Sequence, residues 1–178
     1  MPSGNGDRGD TRRRVYKLLN EGARLLRERR PAEAVDQLKL AWQLDPTMVE
    51  VAINLGGAYV MQGRHAEAVS VLEEASRVEP GNTMIWINLA AAYLGPLEDS
   101  SDEGQLMAIA AFEKALALDP KTPGVNYNLG LIYRQRDEME KAAAHFWRAL
   151  YPEPADDDAR TRLRQIGYHD TRLPSGDD

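Results

Sequence analysis

Four acid–proline pairs divide this sequence at nearly regular intervals, and their spacing constrains the fold more than any other feature. The pairs are Asp45-Pro46, Glu79-Pro80, Asp119-Pro120 and Glu153-Pro154, so successive prolines are 34, 40 and 34 residues apart. Alignment on the prolines gives four repeats, at residues 15–48, 49–82, 83–122 and 123–154. A fixed period of this length is typical of solenoids and other repeat architectures.

Residue size is matched at equivalent positions of the repeats. One column of small residues contains Gly22, Gly56, Ala90 and Gly130, and one column of large apolar residues contains Leu38, Leu72, Phe112 and Phe146. Apolar residues within a repeat recur at spacings of three and four, which is the periodicity of an amphipathic helix. In the second repeat, Gly63-Arg64 interrupts this pattern. Each repeat is therefore predicted to form two helices joined by a tight turn.

The second and fourth repeats carry a characteristic residue pattern. The second contains N-L-G-G-A-Y at 54–59 and E-A at 67–68, and the fourth contains N-L-G-L-I-Y at 128–133. In this pattern the sequence resembles the tetratricopeptide repeat over residues 15–154. The resemblance implies an all-α, right-handed α-solenoid of helix-turn-helix repeats, whose first helices line a concave groove for partner proteins. Repeat one departs from the pattern with Glu21 in a leucine column, and repeat three with a loop insertion at 95–104.

The two ends of the chain differ in composition from the repeats. The first residues are rich in Gly, Ser and Asp, which is typical of a flexible terminus. After Pro154, an aspartate suited to a helix N-cap precedes Gly167, which is suited to a helix stop. The predicted division is an arm at residues 1–11, repeats at 12–154, a capping helix at 155–168 and a flexible tail at 169–178.

The composition argues against catalysis and against several kinds of site. Cysteine is absent, which excludes disulfides, thiolate nucleophiles and Cys-ligated metals. The histidines, His65, His145 and His169, are far apart in sequence, and no glycine pattern of a nucleotide-binding loop is present. We therefore expect a non-catalytic protein without metal or organic cofactor. No segment approaches the ~18 consecutive apolar residues of a membrane span, and the start lacks a signal-like apolar segment, so a cytoplasmic protein without membrane contact is expected.

Charge is distributed unevenly along the chain. Residues 1–30 contain nine Lys/Arg and four Asp/Glu, a balance of +5, whereas residues 31–178 contain 13 and 24, a balance of −11. A basic end on an acidic body is compatible with an anionic partner or nucleic acid. Tyr16 is the single aromatic residue of this basic end, and the scarcity of rings that could stack on bases instead favours solvated helix faces and disfavours nucleic acid.

A polar column in the first helices is a candidate for peptide recognition. It contains Asn20, Asn54, Asn88 and Asn128, and the resemblance implies that it faces the groove. An asparagine amide offers both a donor and an acceptor to a peptide backbone. First helices packed ~10 Å apart would place one Asn at every third residue of a strand rising ~3.3 Å per residue. The column resembles the asparagine ladder of protein O-linked N-acetylglucosamine transferases, although Asn is also simply common in this column, and both interpretations stay open.

Apolar residues occupy the other groove columns. The candidates are Leu19, Ile53, Met61, Met84, Ile87, Tyr127 and Leu131. Apolar surface of this extent is typical of a binding face. The cations that relatives use to clamp the carboxylates of chaperone tails are missing from these columns, so a chaperone cofactor of that type is not expected.

The function expected from these observations is that of a protein–protein interaction module or scaffold that binds a peptide or helix of a partner in the groove. One alternative is a structural scaffold that self-associates through the groove or an end face. Another is an RNA-binding helical repeat that uses the basic N-terminal end. The sequence leaves the oligomeric state open, a monomer included.

Overall fold

The computed structural model describes residues 4–150 and 157–167, with side chains for residues 9–150 and 160–167. These residues form α-helices, one short 3₁₀ helix and turns, and no strand occurs among them. The helices are α1 Gly4–Arg27, α2 Pro31–Leu44, α3 Val49–Met61, α4 His65–Val78, α5 Thr83–Leu94, α6 Asp102–Leu118, α7 Val125–Gln135, α8 Met139–Ala149 and α9 Asp157–Gln165, with the 3₁₀ helix at Leu97–Asp99. The prediction of an all-α solenoid of helix-turn-helix repeats is confirmed.

The helices belong to two compact units, which meet in sequence between Leu118 and Asp119. In the N-terminal unit, α1 packs on α2, α3 on α4 and α5 on α6, and the hairpins are joined through contacts of α2 with α3 and of α4 with α5. The first helices also contact one another, α1 with α3 and α3 with α5. In the C-terminal unit, α8 packs between α7 and α9.

The column of small residues allows the two helices of a hairpin to approach closely. A Cβ atom on Gly56 would lie 2.6 Å from Cγ and Cδ1 of Leu72, and one on Gly22 would lie 2.5 Å from Cγ of Leu38. In the C-terminal unit, a Cβ on Gly130 would lie 2.5 Å from the Phe146 ring. Real Cβ atoms do not come this close to other atoms, so the large residue of each pair occupies the space that glycine leaves free.

The N-terminal segment differs from the flexible arm predicted for residues 1–11. Helix α1 begins at Gly4, and only residues 1–3 of the predicted arm lie outside the described residues. Extension of an existing helix adds one hydrogen bond for each residue ordered and avoids the cost of nucleation. The amphipathic helical segment that starts at Val15 can therefore extend towards the N-terminus. An ion pair between Asp10 and Arg13, one turn apart, supports the added turns.

The insertion of repeat three also differs from the loop predicted for residues 95–104. Helix α6 begins at Asp102, so the last three of these residues are helical. The Ser101 hydroxyl accepts a hydrogen bond from the Gly104 backbone N–H at 3.1 Å, which is the geometry of an N-cap. Acidic residues in the first turn, Asp102 and Glu103, interact favourably with the helix dipole. The acidic residues at the end of the insertion therefore stabilise a helix start.

The C-terminal unit ends in α9, which lies within the range predicted for the capping helix, 155–168. Leu163 of this helix is buried, with 1% of its surface exposed. The parts of the predicted cap at 155–156 and 168, and the predicted tail at 169–178, lie outside the described residues.

Candidate functional site

The first helices of the N-terminal unit present one exposed side, which we call the first-helix face. It is formed by α1, α3 and α5 and carries Asn20, Asn54, Met61, Met84 and Asn88. The opposite side of these helices is buried against the second helices, through residues such as Leu55 and Leu89. Helical periodicity separates the two sets, because residues three or four apart share a side.

The asparagines of this face are held by their own helices. Asn54 Nδ2 donates to the Glu50 carbonyl oxygen at 2.8 Å, and Asn88 Nδ2 donates to the Met84 carbonyl oxygen at 2.9 Å. Each amide thereby uses one of its two N–H groups and keeps the second N–H and Oδ1. These bonds fix the direction of the side chain without a partner on a neighbouring helix. The sequence pattern alone did not indicate them.

Asn88 lies beside the adjacent first helix. A Cβ atom on Gly57 of α3 would lie 3.8 Å from Asn88 Oδ1, which is an ordinary van der Waals distance. A larger residue at position 57 would occupy part of the space around this oxygen. The Asn20 side chain, at the equivalent position of α1, is exposed.

The apolar candidates of the N-terminal unit differ in exposure. Met61 and Met84 are 52% and 51% exposed, and Ile53 and Ile87 are half-buried beside them. Leu19 was predicted for this face but is only 8% exposed, although Ile53 and Ile87 at the equivalent repeat positions are half-buried. It contributes to packing and offers no surface to a ligand.

Sequence reasoning missed an aromatic residue at the edge of the face. Tyr16 of α1 is 39% exposed, and the guanidinium carbon of Arg12 lies 5.7 Å from its ring centroid. Tyr16 occupies the same repeat position as Met84, so comparison of that column would have found it. A tyrosine at the edge of a binding face combines an apolar ring with a polar hydroxyl.

The remaining candidates lie on α7 of the C-terminal unit. Tyr127, Asn128 and Leu131 are each half-buried. The Tyr127 ring packs on Phe146 of α8, with centroids 5.8 Å apart at an interplanar angle of 57°. Tyr127 therefore supports the hairpin in addition to presenting surface.

The C-terminal unit contains a cleft that the sequence analysis did not predict. Its volume is about 980 Å3, and Trp147, Lys121 and Arg148 line it together with Pro120 and Pro123. The cleft lies where the loop before α7 meets the end of α8. Sequence spacing cannot show such a cleft, because its walls come from two segments at least 18 residues apart, 120–126 and 144–149.

His145 of the C-terminal unit is a titratable group with a strongly perturbed pKa. Its Nδ1 lies 3.0 Å from Asn126 Oδ1, and its ring stacks on Tyr133 with centroids 5.3 Å apart. Burial, with a smaller contribution from the Arg148 charge, lowers the pKa of His145 to about 4. The ring is therefore neutral at physiological pH and serves in packing.

His65 is the first residue of α4. A Cβ on Gly95 would lie 3.5 Å from its Nε2, so the ring packs against the beginning of the insertion. Within the described residues, no group of three or more His, Asp or Glu side chains is arranged to hold a metal ion. None of the described helices is long and apolar enough to cross a membrane.

Comparison with protein families agrees with this geometry. A model described as a tetratricopeptide repeat matches residues 25–92, one described as a TPR repeat matches 107–135, and a further tetratricopeptide-repeat model matches 123–156. The stretch between the first two matches contains most of the insertion of repeat three. Comparison with curated proteins finds no match.

Solved structures share the fold at low sequence identity. MamA from Desulfovibrio magneticus RS-1 is 24% identical, with a TM-score of 0.70 over 80% of this chain and 77% of that one. A tetratricopeptide repeat protein from Parabacteroides merdae is 21% identical, with a TM-score of 0.71 over 86% of this chain and 59% of that one. The first TPR of Spaghetti (RPAP3), bound to an HSP90 peptide, is 24% identical, with a TM-score of 0.59 over 67% of this chain and 92% of that one. With its repeat pattern, its hairpins and these matches, the chain belongs to the tetratricopeptide-repeat family.

Proposed function

We propose that this protein is a non-catalytic interaction module whose first-helix face binds an extended segment of a partner protein. The observation that carries the proposal is the arrangement of Asn54 and Asn88. Each amide is held by its own helix through one N–H, which leaves Oδ1 and the other N–H for a ligand, and both side chains are half-buried. A donor and an acceptor held in place suit a peptide backbone, which offers both groups at every residue.

Exposed methionines provide the apolar part of the face. Met61 and Met84 are each about half exposed, and burial of their side chains by a ligand would contribute about 25 cal/mol per Å2 of apolar area. Methionine is flexible and polarisable, so such a surface adapts to ligands of differing shape. The asparagines recognise the peptide backbone, and the methionines adapt to different side chains. We therefore expect binding to depend more on the extended conformation of the partner segment than on its particular sequence.

One structural relative supports peptide binding by this fold. The RPAP3 repeat domain is described in complex with an HSP90 peptide, SRMEEVD. The face of the present chain carries asparagine and methionine rather than clustered cations, so we infer that its partner segment differs from a carboxylate-rich chaperone tail. Self-association through the same face is the competing function.

The proposal is tested with extended peptides selected from a random phage-displayed library on the intact protein. The double variant Asn54→Ala/Asn88→Ala should weaken binding of the selected peptides at least tenfold, because each lost hydrogen bond has a net value of ~0.5–1.5 kcal/mol. Its melting temperature should stay close to that of the parent, since alanine favours the helix and the lost bonds are local. The control is Gln43→Ala/Gln135→Ala, which removes two exposed amides elsewhere.

Two outcomes would contradict the proposal. Unchanged affinity of the asparagine variant would show that the column does not contact the peptide. A lower melting temperature with unchanged affinity for each folded molecule would assign the asparagines to helix stability.

A further inference from the structure

A cleft between α1 and α2 concentrates positive charge on the N-terminal unit. Its volume is about 800 Å3, and its lining consists of Arg14, Lys17, Leu18, Asn20, Glu21, Arg24, Arg27 and Gln37. This lining contains four cationic side chains and one carboxylate. It includes no aromatic residue. We call it the α1–α2 cleft.

Only part of this charge is neutralised within the protein. Arg24 forms ion pairs with Glu21, at 2.6 Å, and with Glu28. Arg14, Lys17 and Arg27 are exposed and form no close ion pair among the described residues, although Lys17 lies near enough to Glu21 to help lower the pKa of that carboxyl. A cation that is not paired internally can bind an external anion without first breaking an ion pair.

One carboxylate of the protein, that of Glu21, is already bound by an arginine within the cleft. Glu21 accepts hydrogen bonds from Arg24 Nε at 3.0 Å and from Arg24 Nη2 at 2.6 Å, which is the two-bond geometry of an arginine–carboxylate pair. These bonds hold the pKa of the Glu21 carboxyl below its ordinary value. The amides of Asn20 and Gln37 add neutral hydrogen-bond donors to the lining.

We infer that the α1–α2 cleft binds an acidic peptide segment, with carboxylates paired to Arg14, Lys17 and Arg27. Arg27 lies 13 positions after Arg14 in the sequence, which corresponds to about 20 Å at the 1.5 Å rise per residue of an α-helix. An extended peptide covers that distance in about six residues. The cleft therefore fits a short run of Asp or Glu.

Nucleic acid fits the cleft less well than an acidic peptide. Bases bind protein channels by stacking on aromatic rings, and the lining offers none. The chain also carries a net charge of −6, so a long polyanion would meet repulsion beyond the cleft, whereas a short acidic segment would not reach it.

The inference is separate from the proposed function, although Asn20 borders both surfaces. An acidic segment in the cleft does not depend on Asn54 or Asn88, which lie on α3 and α5. The two surfaces can therefore be tested with different variants of the intact protein.

The test uses a fluorescently labelled oligoglutamate of about six residues, and its binding to the full chain is measured by anisotropy. We expect binding that weakens as the ionic strength rises from about 0.01 M to about 0.15 M, because the screening length shortens from ~30 to ~8 Å. The triple variant Arg14→Gln/Lys17→Gln/Arg27→Gln should reduce the affinity at least tenfold. The matched control, Lys39→Gln/Arg77→Gln/Lys114→Gln, removes three exposed cations elsewhere in the same unit and should change it less than twofold.

Each other outcome overturns the inference. An equal loss of oligoglutamate affinity in both triple variants would indicate that the overall charge of the protein attracts the peptide. Equal or tighter binding of an oligouridylate of the same length would indicate a polyanion site. Self-association that disappears in the first triple variant, without oligoglutamate binding, would assign the cleft to a second copy of the chain. Loss of oligoglutamate binding only in Asn54→Ala/Asn88→Ala would place the acidic segment on the first-helix face and leave the proposed function standing.

Discussion

Single glycines determine how closely the helices of a repeat approach. Gly56 faces Leu72 at a distance that leaves no room for a Cβ atom. The neighbouring Gly57 would place its Cβ 3.8 Å from Asn88 Oδ1, the nearest atom beyond its own helix. Both glycines lie within α3. Substitutions at these two positions therefore distinguish the effect of close helix packing from the effect of the intrinsic helix propensity of glycine.

Gly56→Ala should lower the free energy of unfolding by about 1–3 kcal/mol, because the added methyl group forces Leu72 from its position. Gly57→Ala should leave it unchanged or raise it by about 0.5–1 kcal/mol, because alanine is the better helix former. Urea denaturation of the two variants measures the difference. Equal effects of the two substitutions would show that the close approach of the helices is not required for stability.

His145 should make stability depend on pH. Its folded-state pKa is about 4, below the ordinary value of 6.5, so the unfolded chain binds the proton more readily between these values. Stability is therefore highest above about pH 6.5 and decreases as the pH falls towards 4. Since the ring is only partly buried, we expect a loss of about 1–2 kcal/mol.

Denaturation of the parent and of His145→Phe at pH 7 and at pH 5 measures this loss. The phenylalanine variant should show a smaller pH dependence. Asn126→Asp would place a carboxylate at the partner atom of the ring and should raise the pKa of His145, which nuclear magnetic resonance titration reports directly. An unshifted titration in Asn126→Asp would contradict the contact between the two side chains.

At the scale of helices, the ends of elements depend on local chemistry that periodicity does not show. Helix α6 begins three residues inside the insertion because Ser101 caps it, and α1 continues to Gly4 beyond the amphipathic segment. The position of helix α9, by contrast, was indicated by the sequence, through residues suited to an N-cap and to a helix stop. It packs on α8 and buries Leu163.

Deletion of residues 155–178 should expose the apolar surface of α8 that α9 covers. We expect the free energy of unfolding to fall by about 1–3 kcal/mol, at about 25 cal/mol per Å2 of apolar area, and the protein to aggregate more readily. Deletion of residues 169–178 alone, which retains α9, is the control and should leave stability unchanged. If both truncated chains melt at the temperature of the parent, α9 does not act as a cap.

At the scale of the whole molecule, both proposed surfaces belong to the N-terminal unit. The first-helix face is mostly neutral, and the α1–α2 cleft is basic, within a chain whose net charge is −6. This division predicts that added salt weakens the binding of acidic ligands in the cleft more than the binding of ligands on the first-helix face. Light scattering of the free protein distinguishes binding of a partner from self-association, since a monomer leaves both surfaces free.

The sequence by itself determined the repeat, because the columns of small and large residues and the acid–proline pairs are local patterns that recur at a fixed period. It also indicated which residues of α3 and α5 are exposed, such as Met61 and Met84, because helical periodicity separates the two sides of a helix. Leu19 was assigned to the wrong side. A residue at the boundary between two sides is buried or exposed according to the neighbouring helix.

Tertiary structure alone decided where the clefts form. The ion pairs of Arg24 are local by comparison, because Glu21 and Glu28 lie three residues before it and four residues after it along the chain. The α1–α2 cleft requires Gln37 of the second helix beside the first, and the Trp147 cleft requires a loop beside the end of α8. The packing of distant segments sets these arrangements, and it does not follow from the spacing of residues along the chain.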